Sequence, residues 1–116
     1  MFALNFLSPH NEKLLMNRQK NVTIRLGDIK ETYPENSIVW ITVGKKTNSK
    51  RKLYPAIIDK AIVKKFSELT TQDLSQQNPN IKTVDELISF FEIIYERTIH
   101  IEDMVTVIYF SEIINE

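Results

Sequence analysis

A chain of 116 residues, 42% of them hydrophobic, is long enough to bury a core as one domain spanning residues 1 to 116 without covalent or metal staples. The absence of cysteine excludes disulfides, thiolate metal sites and cysteine nucleophiles, and suits a reducing compartment. The formal net charge is zero, yet residues 1 to 65 hold 13 of the 15 Lys and Arg and only 5 of the 15 Asp and Glu, a balance of +8 that residues 66 to 116 offset with −8.

If the first part gathers on one face, it offers a polyanion a basic surface; if the two parts interleave, they cancel. The two histidines, His10 and His100, are too few and too far apart for metal-ligand spacing, so neither a metal nor another cofactor is expected. No apolar run approaches the roughly 18 residues that span a bilayer. The N-terminal MFALNFLSPHNE lacks the basic start and cleavage site of a secretion signal. The expectation is a soluble, cytoplasmic protein with no membrane partner.

Residues 2 to 7, FALNFL, read as a first strand with Phe2, Leu4 and Phe6 on one face. Ser8 and Pro9 suit a helix cap and first turn. They predict a short helix to about residue 17 with Leu14 and Leu15 inward. Next comes RQKNVTIR, residues 18 to 25, in which Val22 and Ile24 alternate with Thr23 and Arg25 as a half-buried strand requires. The apolar pair is assigned to the core, and Lys20 stands at the strand's entrance. A hydroxyl flanked by two cations suits an anion or phosphate, because Arg presents a planar fork and Lys a compact charge. An edge strand guarded by positive charge has the same pattern.

This stretch resembles the opening motif of the ASCH domains, a branch of the PUA-like folds. Their pattern is Gly-x-Lys, four residues, then Arg, often ending Thr-Ile-Arg. Lys20, Thr23, Ile24 and Arg25 match it, whereas Arg18 occupies the glycine position and predicts a differently built turn.

After a polar loop carrying Gly27, Asp28, Pro34 and Asn36, the stretch SIVWITV, residues 37 to 43, reads as a strand. Its Trp40 is assigned to the core, with base stacking as the alternative. Residues 44 to 52, GKKTNSKRK, form the most cationic stretch and are expected to make a hairpin loop. There Lys45, Lys46, Lys50, Arg51 and Lys52 either track a phosphate backbone or only solubilise the loop. Tyr54 follows as a candidate for stacking. Residues 53 to 63 read as a strand bent near Pro55.

The segment FSELTTQDLSQQNPNIK, residues 66 to 82, is polar and partly helical, and its Phe-x-x-Leu-Thr opening resembles the corresponding ASCH segment. Asp73 stands where an acidic residue is often found there, while the Asp-Gly-Phe element of many relatives is absent. Thr83 and Glu86 make a capping box for a helix from 84 to about 97. Its stripe of Val84, Leu87, Ile88, Phe91, Ile94 and Tyr95 is assigned to the core rather than to a ligand. The chain closes with a strand, MVTVIYF, residues 104 to 110, buried on both faces. Asp103, Val105, Thr106, Val107, Ile108 and Phe110 agree with the end of ASCH-like chains.

The order strand, helix, strands, helix, strand predicts a small α+β domain of mostly antiparallel strands. The resemblance implies a PUA-like β-barrel with packed helices and a cleft between the barrel and the helical segment. It also implies dealings with RNA or nucleotides. Binding of single-stranded or structured non-helical RNA, or of a nucleotide, through Arg18, Lys20, Arg25, the cationic loop and Tyr54 is the first expectation.

A ribonuclease whose cationic cluster stabilises a scissile phosphate, with Lys20 as base or acid, is the second, and Lys20, Thr23, Arg25 and Asp73 are the catalytic candidates across the enzyme readings. An acetylcytidine amidohydrolase, which in this family uses a Lys, a Thr and a Glu, comes third. Lys20 and Thr23 correspond to the first two, but the segment from Asp73 to Asn80 offers no glutamate. The sequence leaves the oligomeric state open.

Overall fold

The structure is a computed structural model, and it describes residues 2–7, 9–44 and 50–114. Among the described residues five strands form one sheet: β1 (Phe2–Phe6), β2 (Val22–Leu26), β3 (Ile38–Val43), β4 (Arg51–Lys65) and β5 (Met104–Glu112), in spatial order β1-β3-β4-β5-β2. Only β1 and β3 pair in parallel; the other neighbours are antiparallel. Three α-helices, α1 (Pro9–Met16), α2 (Thr71–Gln77) and α3 (Val84–Tyr95), pack around the sheet, with a 3-10 turn at Phe66–Glu68.

The sheet curls because of its longest strand. β4 pairs with β3 along its first part and with β5 along its second, and each ladder carries a bulge. One leaves Leu53 extra between the Ile41–Tyr54 and Thr42–Lys52 pairs, and the other leaves Asp59 extra between Ile58–Phe110 and Lys60–Tyr109. A bulge bends its strand and raises local twist. The result is a half-barrel, with one bulge two residues before Pro55 and the other at Asp59. That proline sits where the β5 ladder ends: its carbonyl accepts from Ile113 N–H at 2.9 Å, so its missing donor interrupts no interior pair.

Two apolar cores fill the two sides of the sheet. Leu4, Phe6, Leu15, Val39, Ile41, Tyr54, Ile58, Ile108 and Phe110 belong to the first. Val22 and Ile24 join Phe66, Leu74, Leu87, Phe91, Val105 and Val107 in the second, under α2 and α3. β5 feeds both by alternation, which is why it reads as a continuous apolar run. Each large side chain buried this way contributes about 1.5–3 kcal/mol.

Three assignments made from sequence change here. Trp40 is half-buried and outside both cores, with the Lys52 ammonium 4.7 Å from its ring centroid. α3 stops at Tyr95 because Glu96 takes a left-handed backbone, φ 53°. Within α3 only Leu87 and Phe91 are fully buried, and Ile94 and Tyr95 are exposed. Ser8 lies outside the described residues, so its expected capping is not assigned; Leu14 and Leu15 are both buried. No helix among the described residues is long and apolar enough to cross a membrane.

Candidate functional site

β1 and β2 are the two edges of the sheet, and curling brings them face to face. The gap is bridged by a side chain: Arg25 Nη2 donates to the Asn5 carbonyl at 2.9 Å, while Arg25 Nε donates to the Thr23 hydroxyl at 3.2 Å. Beside this bridge lies a cavity of about 380 Å³. Asn5 and Phe6 wall it on one side, Lys20, Thr23 and Arg25 on another, Gln77 and Asn78 at the end of α2, and Phe90, Ile94 and Tyr95 of α3 along the rim. Among the described residues no Asp or Glu lines it.

Lys20 is 2% exposed. Its ammonium donates to the Gln77 carbonyl at 2.7 Å and to Gln77 Oε1 at 2.6 Å. Burial holds its pKa well below the usual lysine range, and the positive charge of Arg25 adds to the effect. Burial also lowers Arg25, against the opposing influence of Tyr33 and Tyr95. Both cations lie over one aromatic face, with Lys20 Nζ 5.4 Å and the Arg25 guanidinium 5.1 Å from the Phe6 centroid. Among the described residues the ion pairs are Arg18–Glu112, Arg51–Glu12, Lys64–Asp73 and Lys65–Glu102, so neither Lys20 nor Arg25 takes part in one.

Gln77 organises this end of the cleft. Its Oε1 also accepts the Ile24 N–H at 3.2 Å, and the Tyr95 hydroxyl accepts the Leu26 N–H at 3.3 Å. The outward donors of an edge strand are thus satisfied by side chains from two helices, a common need of exposed edges.

Asp73 is placed elsewhere. It is 1% exposed and is the third helical residue of α2, where it closes a capping box with Thr70. Its carboxylate accepts from Lys64 Nζ at 2.8 Å, from Thr70 N–H at 3.0 Å and from the Tyr109 hydroxyl. Burial alone raises a carboxyl, but these three donors together hold Asp73 below its ordinary value. Tyr109 moves the other way: burial and its bond to Asp73 push it up to about 12. Asp73 is not among the cleft's lining residues; the group facing Lys20 is an amide.

The remaining candidates fall into two sets. Arg18 has φ 60°, the left-handed backbone that favours glycine. It is held by Nη1 bonds to the Leu15 and Met16 carbonyls and by a two-bond fork to Glu112, at 2.9 and 2.8 Å. Its guanidinium also covers the Tyr54 ring at 4.3 Å; Tyr54 is 6% exposed, so its ring is taken up by the fold rather than open to a base.

Lys45 and Lys46 lie outside the described residues. Lys50 is exposed, Arg51 pairs with Glu12, and Lys52 covers Trp40. The root of this cationic connection is tied to the cleft wall: Gly44 N–H donates to the Phe6 carbonyl at 3.1 Å, and Asn5 Nδ2 donates to the Gly44 carbonyl at 2.9 Å. The two charge halves interlock where they meet, since Arg18–Glu112, Lys64–Asp73 and Lys65–Glu102 each join one half to the other.

Sequence reasoning missed Asn5, Phe6, Gln77, Asn78, Phe90 and Tyr95 as cleft residues. One signal was available: Thr70-x-x-Asp73 is itself a capping pattern, which engages Asp73 at the helix start and leaves Gln77, one turn on, to reach the strand. Among the described residues no group of three or more His, Asp or Glu side chains is placed to hold a metal ion.

No family model matches the chain, and no curated protein matches it. Solved structures do. A DUF984 protein from Enterococcus faecalis superposes with a TM-score of 0.65 at 14% identity, covering 90% of this chain and 67% of that one. An ASCH domain from Lactobacillus crispatus superposes with a TM-score of 0.67 at 7% identity, covering 95% of this chain and 77% of that one. At such identities the likeness concerns the backbone arrangement alone. The curled five-stranded sheet, its three packed helices and these two superpositions together give the chain an ASCH-type, PUA-like α+β fold.

Proposed function

We propose that residues 1 to 116 form one RNA-binding module whose cleft takes a single nucleotide of single-stranded or non-helical RNA, or the free nucleotide. The observation that carries this reading is the convergence of Lys20 and Arg25 over Phe6 in a cavity with no carboxylate among its described lining residues. Two cations in a partly desolvated site attract phosphate, and Phe90 and Tyr95 at the rim offer aromatic surface to a base. The volume, about 380 Å³, sits at the small end of ligand sites, about 300–1,000 Å³. Lys50, together with Lys45 and Lys46, engages the phosphates of flanking nucleotides from the connection rooted at Phe6. Arg18, Arg51, Lys52 and Tyr54 serve the fold around the site. The same proposal places the module in the cytoplasm, where single-stranded RNA is at hand.

Ribonuclease action is the second reading. It is favoured by a buried amine held below its ordinary range beside an arginine, an arrangement that suits proton transfer next to a charged phosphate. Amide hydrolysis is disfavoured, because Gln77 stands at Lys20 where that chemistry wants an acid.

The test is to incubate purified protein with labelled single-stranded RNA at low salt, beside Lys20→Ala and Arg25→Gln, and to read binding and cleavage from the same samples. Intact RNA, bound more weakly as salt rises and more weakly still by Arg25→Gln, supports the module. RNA shortened by the native chain and not by Lys20→Ala moves the reading to the ribonuclease. Absence of both overturns the RNA reading.

A further inference from the structure

The same cleft has a shape that constrains which nucleotide enters it, an inference that rests on the RNA reading above. A strand that passes through a site needs an entrance and an exit. Here several of the cleft's walls are tied to one another by hydrogen bonds. Arg25 Nη2 bridges the two sheet edges at Asn5. Gln77 joins both Lys20 and the Ile24 N–H, and the Tyr95 hydroxyl holds Leu26 N–H. A second depression of about 240 Å³, lined by Arg18, Tyr54 and Glu112, lies beyond Lys20 and shares it as a wall. Lys20, the residue the two depressions share, is held by its bonds to Gln77.

Lys20 and Arg25 place two cations in the cleft, with no carboxylate among its described lining residues to neutralise them. A phosphodiester inside a chain brings one negative charge and continues on both sides. A terminal phosphomonoester carries about −1.5 to −2 near neutral pH, with three strong acceptor oxygens. It also needs only one opening. Arg25 has committed Nε and Nη2 to Thr23 and Asn5, and its guanidinium carries further donors. Lys20 has committed two bonds to Gln77, and an ammonium has three donors.

We propose that the cleft recognises the phosphorylated end of an RNA chain, with the terminal phosphomonoester directed at Lys20 and Arg25 and the terminal base against Phe90 and Tyr95. The site is an end reader, and an internal nucleotide does not fill it.

The experiment compares one short single-stranded RNA, labelled internally, in four forms: with a 5′-phosphate, with a 3′-phosphate, with hydroxyls at both ends, and circularised. Affinities are measured by fluorescence anisotropy on the native chain and on Arg25→Gln. The expected result is that one phosphorylated form binds at least about tenfold more tightly than the hydroxyl-ended and circular forms, the gain of one added charge-assisted contact. The phosphorylated form that wins assigns the end. The preference is expected to shrink towards unity in Arg25→Gln, whose folding is checked by its melting transition. A free nucleoside monophosphate is expected to compete, and the nucleoside is not. Circular RNA bound as tightly as either phosphorylated form overturns end reading while the RNA reading stands. No binding of any form overturns both.

Discussion

Replacing Gln77 with leucine removes one oxygen that two buried donors share, and the cost can be worked from the geometry. Oε1 accepts from the Lys20 ammonium at 2.6 Å and from the Ile24 N–H at 3.2 Å. A hydrogen bond to a charged group contributes about 1.5–3 kcal/mol, and a buried donor left without a partner costs about 1–3 kcal/mol. The Lys20 bond to the Gln77 backbone carbonyl survives the substitution, and water entering from the cleft recovers part of the rest.

The expected net loss is about 2–4 kcal/mol. For a domain of this size that lowers the melting temperature by about 8–16 °C. The assay is paired urea and thermal denaturation at neutral pH. A loss under about 1 kcal/mol, with the m-value unchanged, would refute the view that Gln77 holds Lys20 and the β2 edge.

Other outcomes follow from the same contacts. Arg18→Ala and Arg18→Gly both lose the fork to Glu112, but only glycine relieves the left-handed backbone at φ 60°. The glycine variant should therefore be the more stable by about 1 kcal/mol and have the higher urea midpoint; alanine at or above glycine contradicts that geometry. Lys20 has a lowered folded-state pKa, so the unfolded chain binds its proton more tightly. Stability should rise with pH from that lowered value to about 10.4, and the rise should vanish in Lys20→Met. Asp73 is depressed when folded. Its contribution is present above about pH 3.9 and is lost as pH falls through the lower folded value, so Asp73→Asn should flatten that part of the acid limb.

What the sequence made legible was whatever short-range pattern encodes. Alternation in VTIR separated Val22 and Ile24, which entered a core, from Thr23 and Arg25, which line the cleft. The apolar run in β5 was legible because both its faces are buried. Gln77 was not, since it meets Lys20 across 57 positions and an amide in a polar segment carries no periodic mark. Asp73 drew attention by its charge, yet its place in the first turn of α2 commits it to Thr70, Lys64 and Tyr109.

Trp40 misled for a different reason. An apolar run does not say which strand face the core takes, and the side chain went to the face where Lys52 covers it. The α3 stripe was read correctly at Leu87 and Phe91. Its last turn instead reaches the cleft rim, which leaves Ile94 and Tyr95 exposed.

The most direct test of the cleft as the binding site is to map where RNA touches. Amide spectra of isotope-labelled protein, titrated with a short single-stranded RNA, should shift first at Ile24, Arg25, Gln77, Asn78 and Tyr95, around the cavity. Shifts confined to the neighbourhood of Trp40 and Lys52, with the cleft amides unmoved, would place binding on the outer face of the sheet and contradict the assignment.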